Sequence, residues 1–313
     1  MVRVCVVSPS FCSSPALIED LRRLFPDARL NRERRWLAGD ALVDFMTGFD
    51  AAIIGTEKID RAILDRLPEL KVIAKYGVGL DNVDQDLLHQ KKIVLGWTGG
   101  VNRRSVAELA LAGMLGLAHN VFRTGYQLKQ GGWNKNGGFL LSEKTVGVVG
   151  CGFVGTELLE LLRPFHCHLL INDIVDKSAV AKDFGATMAT LPELLERSDF
   201  VSLHVPLTES TKNFISTPQF ARMKPTAYLI NTARGEVVDQ PALKKALIQG
   251  DIAGACLDVF AVEPPTDREF LALENLMVTP HIGGNTAEAV RAMGAAAIQN
   301  LLNGLGAAGF NII

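Results

Sequence analysis

Short apolar runs rich in β-branched residues alternate along this chain with longer segments whose apolar positions recur every three or four residues. Residues 2–7 form the first run and end at Ser8-Pro9-Ser10, after which residues 16–25 carry a helical pattern. Strands are predicted at 50–55, 71–74 and 93–97, with a helix over 60–67 and another short helical stretch before 93. After Thr98-Gly-Gly-Val-Asn102, a helix is predicted from about 106 to 128, alanine- and leucine-rich in its first half. A second block has strand signals at 145–149, 169–171, 200–204, 227–230, 255–257 and 276–279. Helical patterns lie between them at 153–162, 191–196, 217–222 and 240–249. An alanine-rich amphipathic helix over about 286–302 closes the chain. Apolar strands separated by helices point to parallel sheets, and the second block to a doubly wound α/β domain. The last helix is expected to return to the first block.

Composition narrows the function classes. The 313 residues carry 32 basic and 34 acidic side chains, a net charge of -2, so no broad basic surface is implied and nucleic acid is not expected as a partner. The five cysteines are odd in number and widely spaced, without a CxxC pair, which argues against a disulfide scaffold or structural zinc and for a reducing, cytoplasmic setting. The uncharged stretch 109–122 is too short to span a bilayer. The stretch 292–313 is interrupted by Gln299, Asn300 and Asn303 and then by glycines, and reads as a helix end with a loose tail. No signal peptide and no membrane contact are expected.

The sharpest local motif is Gly150-Cys-Gly152-Phe153-Val154-Gly155, between a β-branched strand and a helix. Gly150 suits the tight turn, Gly152 leaves room for a pyrophosphate, and Gly155 lets helix and strand approach. The N–H groups at the helix start face the phosphate charge. Asp173 follows Gly152 by 21 residues at the end of the next strand, where an acid holds ribose hydroxyls. It would repel a 2′-phosphate, so the expected cofactor is NAD, with Lys177 nearby leaving NADP disfavoured. Cys151 reads as a small turn residue.

Ligands in such folds bind beyond the C-terminal ends of the strands. Arg234 in Asn231-Thr-Ala-Arg-Gly235, Glu263 before Pro264 and His281 after Thr279-Pro280 all follow predicted strands and can meet in one cleft. Together they suit carbonyl reduction beside a carboxylate. Arg234 can hold the carboxylate and polarise the reacting oxygen, His281 can move the proton, and Glu263 can orient the imidazole and raise its pKa. His204 in Ser202-Leu-His-Val-Pro206 either lines the cofactor cleft or packs at a strand end. His166 and His168 flank Cys167 on the far edge, and no metal site is expected.

These segments, with Gly77-Val-Gly79-Leu-Asp-Asn82 and Ser105-Val-Ala-Glu108, make the chain resemble the D-isomer-specific 2-hydroxyacid dehydrogenase family over almost its whole length, phosphoglycerate dehydrogenase-like members included. The resemblance implies a discontinuous, flavodoxin-like substrate-binding domain (1–100 and 285–313) and an NAD-binding Rossmann domain (101–284). It implies that His281, Arg234 and Glu263 are catalytic, and that NADH delivers hydride to C2 of a 2-oxo acid while His281 protonates the oxygen. The implied cofactor contacts are Gly150, Gly152, Phe153, Val154, Gly155, Asp173, His204, Val205, Pro206, Thr232, Ala233, Asp258, His281 and Gly283. Lys75, Tyr76, Val78, Gly79, Arg234 and His281 are the implied substrate contacts, the carboxylate taking N–H groups around Val78 and Gly79. Domain closure and a homodimer built through the cofactor domain and the helix after Ser105 are further family expectations.

Arg103 and Arg104 at a helix start are either solvated charges or contacts for a second anionic group on the substrate. Phosphoglycerate dehydrogenases often carry an arginine in the loop where this chain has Gly55-Thr56-Glu57. Phosphoglycerate, phosphonate analogues, glyoxylate, hydroxypyruvate and lactate-like acids therefore remain open. A phosphite-type oxyanion dehydrogenase is disfavoured by Val78, where those relatives carry lysine. An NAD-sensing corepressor is disfavoured by the retained Arg234, Glu263 and His281, since binding alone needs no proton donor.

Overall fold

The computed structural model describes residues 2–310, so the end of the predicted tail, 311–313, lies outside the described residues. The chain divides into two compact units, one made of the residues up to Asn102 and those from Gly284 on, the other of Arg103–Gly283.

In the first unit, β1 (Val4–Val6), β2 (Arg29–Leu30), β3 (Ala51–Ile54), β4 (Val72–Lys75) and β5 (Val94–Gly96) form a parallel sheet in the order β2-β1-β3-β4-β5. β1, β3 and β4 are buried along their whole length, which is why they read as unbroken apolar runs rather than alternating ones. The helix Ala287–Ala307 returns to this sheet and buries Met293, Ala297, Ile298, Leu301 and Leu305 against one face, beside Val72 and Ala74. Its small residues permit close approach, since a Cβ at Gly304 would lie 2.6 Å from Val72 Cγ1.

The second unit is a seven-stranded parallel sheet. Its strands are β6 (Thr145–Val149), β7 (His168–Asn172), β8 (Thr187–Met188), β9 (Phe200–Leu203), β10 (Tyr228–Asn231), β11 (Gly254–Leu257) and β12 (Leu276–Val278). Their order, β12-β11-β10-β9-β6-β7-β8, reverses direction between β6 and β9. That is the doubly wound arrangement, and the reversal opens a crevice at the C-terminal ends of β6 and β9. Two apolar layers flank the sheet, one around Leu203, Leu229, Val237 and Phe270, the other around Ala110, Met114, Leu158 and Ile171.

Several elements differ from the sequence expectation. The two-residue edge strands β2 and β8 are too short to show a period. The helices Gly39–Met46, Ser178–Phe184 and Arg268–Leu271 were not anticipated, and the helix expected over 60–67 is regular only at Arg61–Leu64. The long helix expected to 128 is two helices, Arg103–Ala118 and Val121–Lys129, bent by 64°. The break falls at Asn120, which takes a left-handed backbone (φ 51°) that asparagine tolerates better than most residues. The first helix buries Ala107, Ala110, Met114 and Leu117, whereas the second buries none of its side chains. Among the described residues, no single helix is long and apolar enough to cross a membrane.

Gly147 in the central strand β6 has no room for a side chain, because a Cβ would come within 2.6 Å of Leu194 Cγ and closer still to Ser198 Oγ. Gly147→Ala is expected to cost about 1–3 kcal/mol through overpacking. The check is the melting midpoint of the purified variant, and an unchanged midpoint would contradict this packing.

Candidate active site

The crevice end of the second unit is built from loops that follow β6, β7, β9, β10, β11 and β12. After β6 the chain turns at Gly150, whose φ of 90° is open to glycine. A Cβ there would also lie 2.8 Å from the His204 carbonyl oxygen. Gly155 packs against the Gly150 carbonyl, while a Cβ on Gly152 would meet nothing within 4 Å. The turn is therefore closed on its protein side and open where a phosphate must approach. Gly152 caps the helix Phe153–Leu162, which aims unpaired N–H groups into that space.

Asp173 follows β7 and is already oriented. Its Oδ2 accepts from Cys151 N–H at 2.8 Å and its Oδ1 from Val175 N–H at 2.9 Å. A cavity of about 560 Å³ beside it is lined by Arg103, Cys151, Gly152, Phe153, Thr156 and Lys177, among others. Burial pushes the Cys151 thiol above its usual pKa, which suits a packed turn residue rather than a nucleophile.

His204 turns its ring to Ser202, with Nε2 2.9 Å from Ser202 Oγ. Burial pushes its pKa down to about 4, so the imidazole is neutral, and its carbonyl backs the Gly150 turn. Val205 is half-buried and Pro206 exposed just beyond it. The Thr232 hydroxyl is buried and has no hydrogen-bond partner among the described residues. An open Gly152, an oriented Asp173 and an orphaned Thr232 hydroxyl along one sheet edge fit an extended dinucleotide.

The chemical groups come from the three loops on the other side. Asn231 is fully buried at the end of β10 and shapes the turn after it, accepting from Ala233 N–H at 3.0 Å and donating to the Arg234 carbonyl at 2.8 Å. Gly235 lets this turn lie against the next loop, because a Cβ there would overlap the Phe260 carbonyl. Arg234 Nη1 donates to the Ala233 carbonyl at 2.7 Å. Glu263 Oε1 accepts from Phe260 N–H at 3.0 Å, and its Oε2 accepts from His281 Nδ1 at 2.7 Å.

Asp258 organises the third loop. It is 1% exposed at the end of β11. Its Oδ1 accepts from Thr279 Oγ1 at 2.6 Å and Ile282 N–H at 2.8 Å, and its Oδ2 from Gly283 N–H at 2.8 Å. Its own carbonyl accepts from His281 N–H at 2.8 Å. His281 sits between these contacts with φ 53°, a backbone that costs a non-glycine residue about 1 kcal/mol or more. Ser105 Oγ, on the helix Arg103–Ala118, holds the Gly283 carbonyl from outside. The family resemblance implies Asp258 as a cofactor contact, and its carboxylate is spent largely on the backbone that carries His281. Sequence reasoning did not single out Asn231 and Gly235 as shaping residues; their place beside Arg234 in the Asn231–Gly235 segment was the available signal.

Electrostatics follow from these contacts. The hydrogen bond to Glu263 raises the His281 pKa above its ordinary 6.5 against the effect of burial, with further attraction to Glu263 and Asp258 and opposition from Arg234. Burial works to raise Glu263, but the bonds from His281 and Phe260 N–H outweigh it, and the charges of His281 and Arg234 add to them, so it stays below 4.5. The His281 contribution to stability is complete below pH 6.5 and is lost as pH rises through its elevated folded value. That of Glu263 is complete above pH 4.5 and is lost as pH falls through its depressed value. The ion pair is therefore strongest between these limits.

Arg103 and Arg104 are engaged by carboxylates. Arg103 Nε lies 3.0 Å from Glu157, and Arg104 pairs with Glu157 at 3.1 Å and with Glu108 at 2.7 Å. Glu157 offsets their unfavourable place at a helix start. In the first unit, Lys75 is 4% and Tyr76 6% exposed, and the Tyr76 ring meets Phe11 edge-on at 5.6 Å between centroids. The Tyr76 side chain is thus a core residue, with burial pushing its hydroxyl to about 12. The Val78 carbonyl accepts from the Trp97 indole N–H at 3.0 Å. Among the described residues, no group of histidine, cysteine and acid side chains can hold a metal, and the five cysteines are unpaired.

Residues 111–283 match the family described as D-isomer specific 2-hydroxyacid dehydrogenase, NAD binding domain. The chain is 37% identical over 276 residues to a hydroxypyruvate reductase of Thermotoga maritima, covering 86% of this chain and 89% of that one. It is 37% identical over 280 residues to a glyoxylate reductase of Pyrococcus furiosus, covering 86% and 83%. Among solved structures it resembles a D-lactate dehydrogenase from Aquifex aeolicus complexed with NAD and lactic acid, with a TM-score of 0.83, 25% identity, and 98% and 95% of the two chains covered.

Two outcomes are expected of this geometry. Glu263→Gln should bring the His281 titration midpoint, followed by NMR, down toward the ordinary histidine value; an unmoved midpoint would show that Glu263 does not set it. Asp173→Ala should narrow the preference for NADH over NADPH by about tenfold, an order typical of removing one charged contact, measured as the ratio of dissociation constants. A retained ratio would assign that preference elsewhere.

Proposed function

Since the chain belongs to the D-isomer-specific 2-hydroxyacid dehydrogenase family and is an NAD-dependent oxidoreductase, we propose that Arg234, Glu263 and His281 are the residues with which it interconverts 2-oxo acids and D-2-hydroxy acids. The single observation that carries this assignment is the 2.7 Å bond between His281 Nδ1 and Glu263, with Arg234 close enough to influence both charges. With Nδ1 turned to Glu263, Nε2 is the ring nitrogen assigned to carry the proton. When bound, NADH supplies the hydride that the carbonyl carbon receives. His281, kept protonated by Glu263, gives its Nε2 proton to the carbonyl oxygen. Arg234 neutralises the carboxylate and stabilises charge growing on that oxygen. In oxidation, neutral His281 takes the hydroxyl proton, and Glu263 stabilises the imidazolium that forms.

On the substrate side, the N–H groups of Val78 and Gly79 suit a carboxylate, with Lys75 behind them. The pairing of Arg103 and Arg104 with Glu157 favours a helix-start role for them over contact with a second anionic group. Small 2-oxo acids such as hydroxypyruvate and glyoxylate, the substrates for which two relatives are named, head the substrate class. A homodimer is supported by the helix Val121–Lys129, which buries no side chain, and by the exposed Val121, Tyr126, Leu128 and Trp133 on and just after it. The five unpaired cysteines support a reducing, cytoplasmic setting.

The test is NADH oxidation against a panel of 2-oxo acids, with NADPH alongside. His281→Ala is expected to lose about 10²–10⁴ in turnover in both directions while NADH binding persists. Arg234→Ala should raise KM and lower kcat together. Wild-type turnover retained in His281→Ala would remove the histidine from the mechanism.

A further inference from the structure

A second charged cluster lies in the first unit, at the ends of β3 and β4, and the proton chemistry above does not use it. Lys75 and Glu57 are only 4% and 3% exposed, which is costly for charged groups unless they are partnered. Lys75 Nζ donates to the Gly55 carbonyl and, at 2.8 Å, to Asn82 Oδ1. Asn82 Nδ2 donates to the Gly55 carbonyl at 3.1 Å and to the Glu57 carbonyl at 2.5 Å. Glu57 Oε2 accepts from Gly55 N–H at 2.5 Å, while its Oε1 is buried without a partner among the described residues. Burial pushes the Glu57 carboxyl up against the pull of Lys75.

These bonds join two loops. One is residues 55–59 after β3, the other residues 76–83 after β4. Their backbones are also tied, by Ile59 N–H to the Asn82 carbonyl at 2.8 Å and by Asp84 N–H to the Ile59 carbonyl at 3.1 Å. Gly55 has no space for a side chain, since a Cβ would lie 2.8 Å from Ser8 Oγ. At the other end of the second loop, Gly77 takes φ 112° and Trp97 pins the Val78 carbonyl. Among the described residues no acceptor takes the N–H of Val78 or Gly79. The loop is thus fixed at both ends around two donors that the fold does not consume.

We propose that Lys75 and Asn82 are positioning residues for substrate: by clasping the Gly55 carbonyl they hold the 76–79 loop in the shape that offers the Val78 and Gly79 N–H groups to a carboxylate. Glu57, within electrostatic reach of Lys75, accepts from Gly55 N–H and so braces the same loop. This inference rests on the 2-oxo acid reading and specifies what sets the affinity of that site.

Glyoxylate is the suitable probe, because apart from the reacting carbonyl it offers only a carboxylate. Two variants separate the hydrogen-bonded clasp from charge balance and from folding. Lys75→Met/Glu57→Gln removes both buried charges together, and Asn82→Ala removes the amide alone. Each is expected to raise KM for glyoxylate about tenfold or more, with kcat at saturation and the NADH dissociation constant within about threefold of wild type. Melting midpoints are recorded alongside. An unchanged glyoxylate KM in a folded variant overturns the proposal. So does a fall in kcat that matches the loss in kcat/KM, or restored affinity in the charge-balanced double variant, which would make Lys75 a counter-ion only. A wild-type protein that reduces no 2-oxo acid at all defeats the functional reading itself, a result distinct from an active enzyme whose KM ignores the clasp.

Discussion

The position of His281 in the second unit depends on how Asp258 is buried. A carboxylate that is 1% exposed must have its oxygens satisfied, and here the donors are Thr279, Ile282 and Gly283. Those donors flank His281, so satisfying the acid bends the backbone around the imidazole. The left-handed φ of His281 is the local cost, and the hydrogen bonds to Asp258 offset it. The His281 backbone is thereby tied to the residue that follows β11.

Three acids of the second unit differ in setting because their surroundings differ. Asp258 is enclosed and holds backbone. Glu263 is part-exposed and faces His281, so its charge is free to act on the imidazole. Asp173, after β7 and four strands from β11 in the sheet, is half-buried and steadied by two N–H groups. A carboxylate thus serves as backbone scaffold in one place and as electrostatic support for an imidazole in another.

The first unit repeats that logic with a base and an amide. Lys75 is buried and partnered by the Gly55 carbonyl and Asn82, with Glu57 nearby. Asp258 and Lys75 each follow or end a buried parallel strand, where the backbone has run out of ladder partners and side chains must supply the next hydrogen bonds.

Much of this was legible in the chain because it depends on local spacing. Buried parallel strands appear as unbroken apolar runs, the glycines of residues 150–155 mark a turn whichever partner surrounds them, and Asp173 lies at a fixed distance down the next strand. Arg234, Glu263 and His281 could be singled out because each follows a strand end. The break at Asn120 and the two-residue strands β2 and β8 were not legible, since a left-handed residue or an edge pairing leaves no period in the sequence. Arg103 and Arg104 read from the sequence as solvated charges or as ligand contacts, and only the fold brings Glu157, more than fifty positions away, beside them. Likewise, only the folded chain decides that Asp258 bonds the turn of His281 and that Lys75 is buried with Glu57. Sequence specifies which groups are available and what local backbone they favour; burial and long-range hydrogen bonding exist only once segments far apart in the chain exclude water from one another.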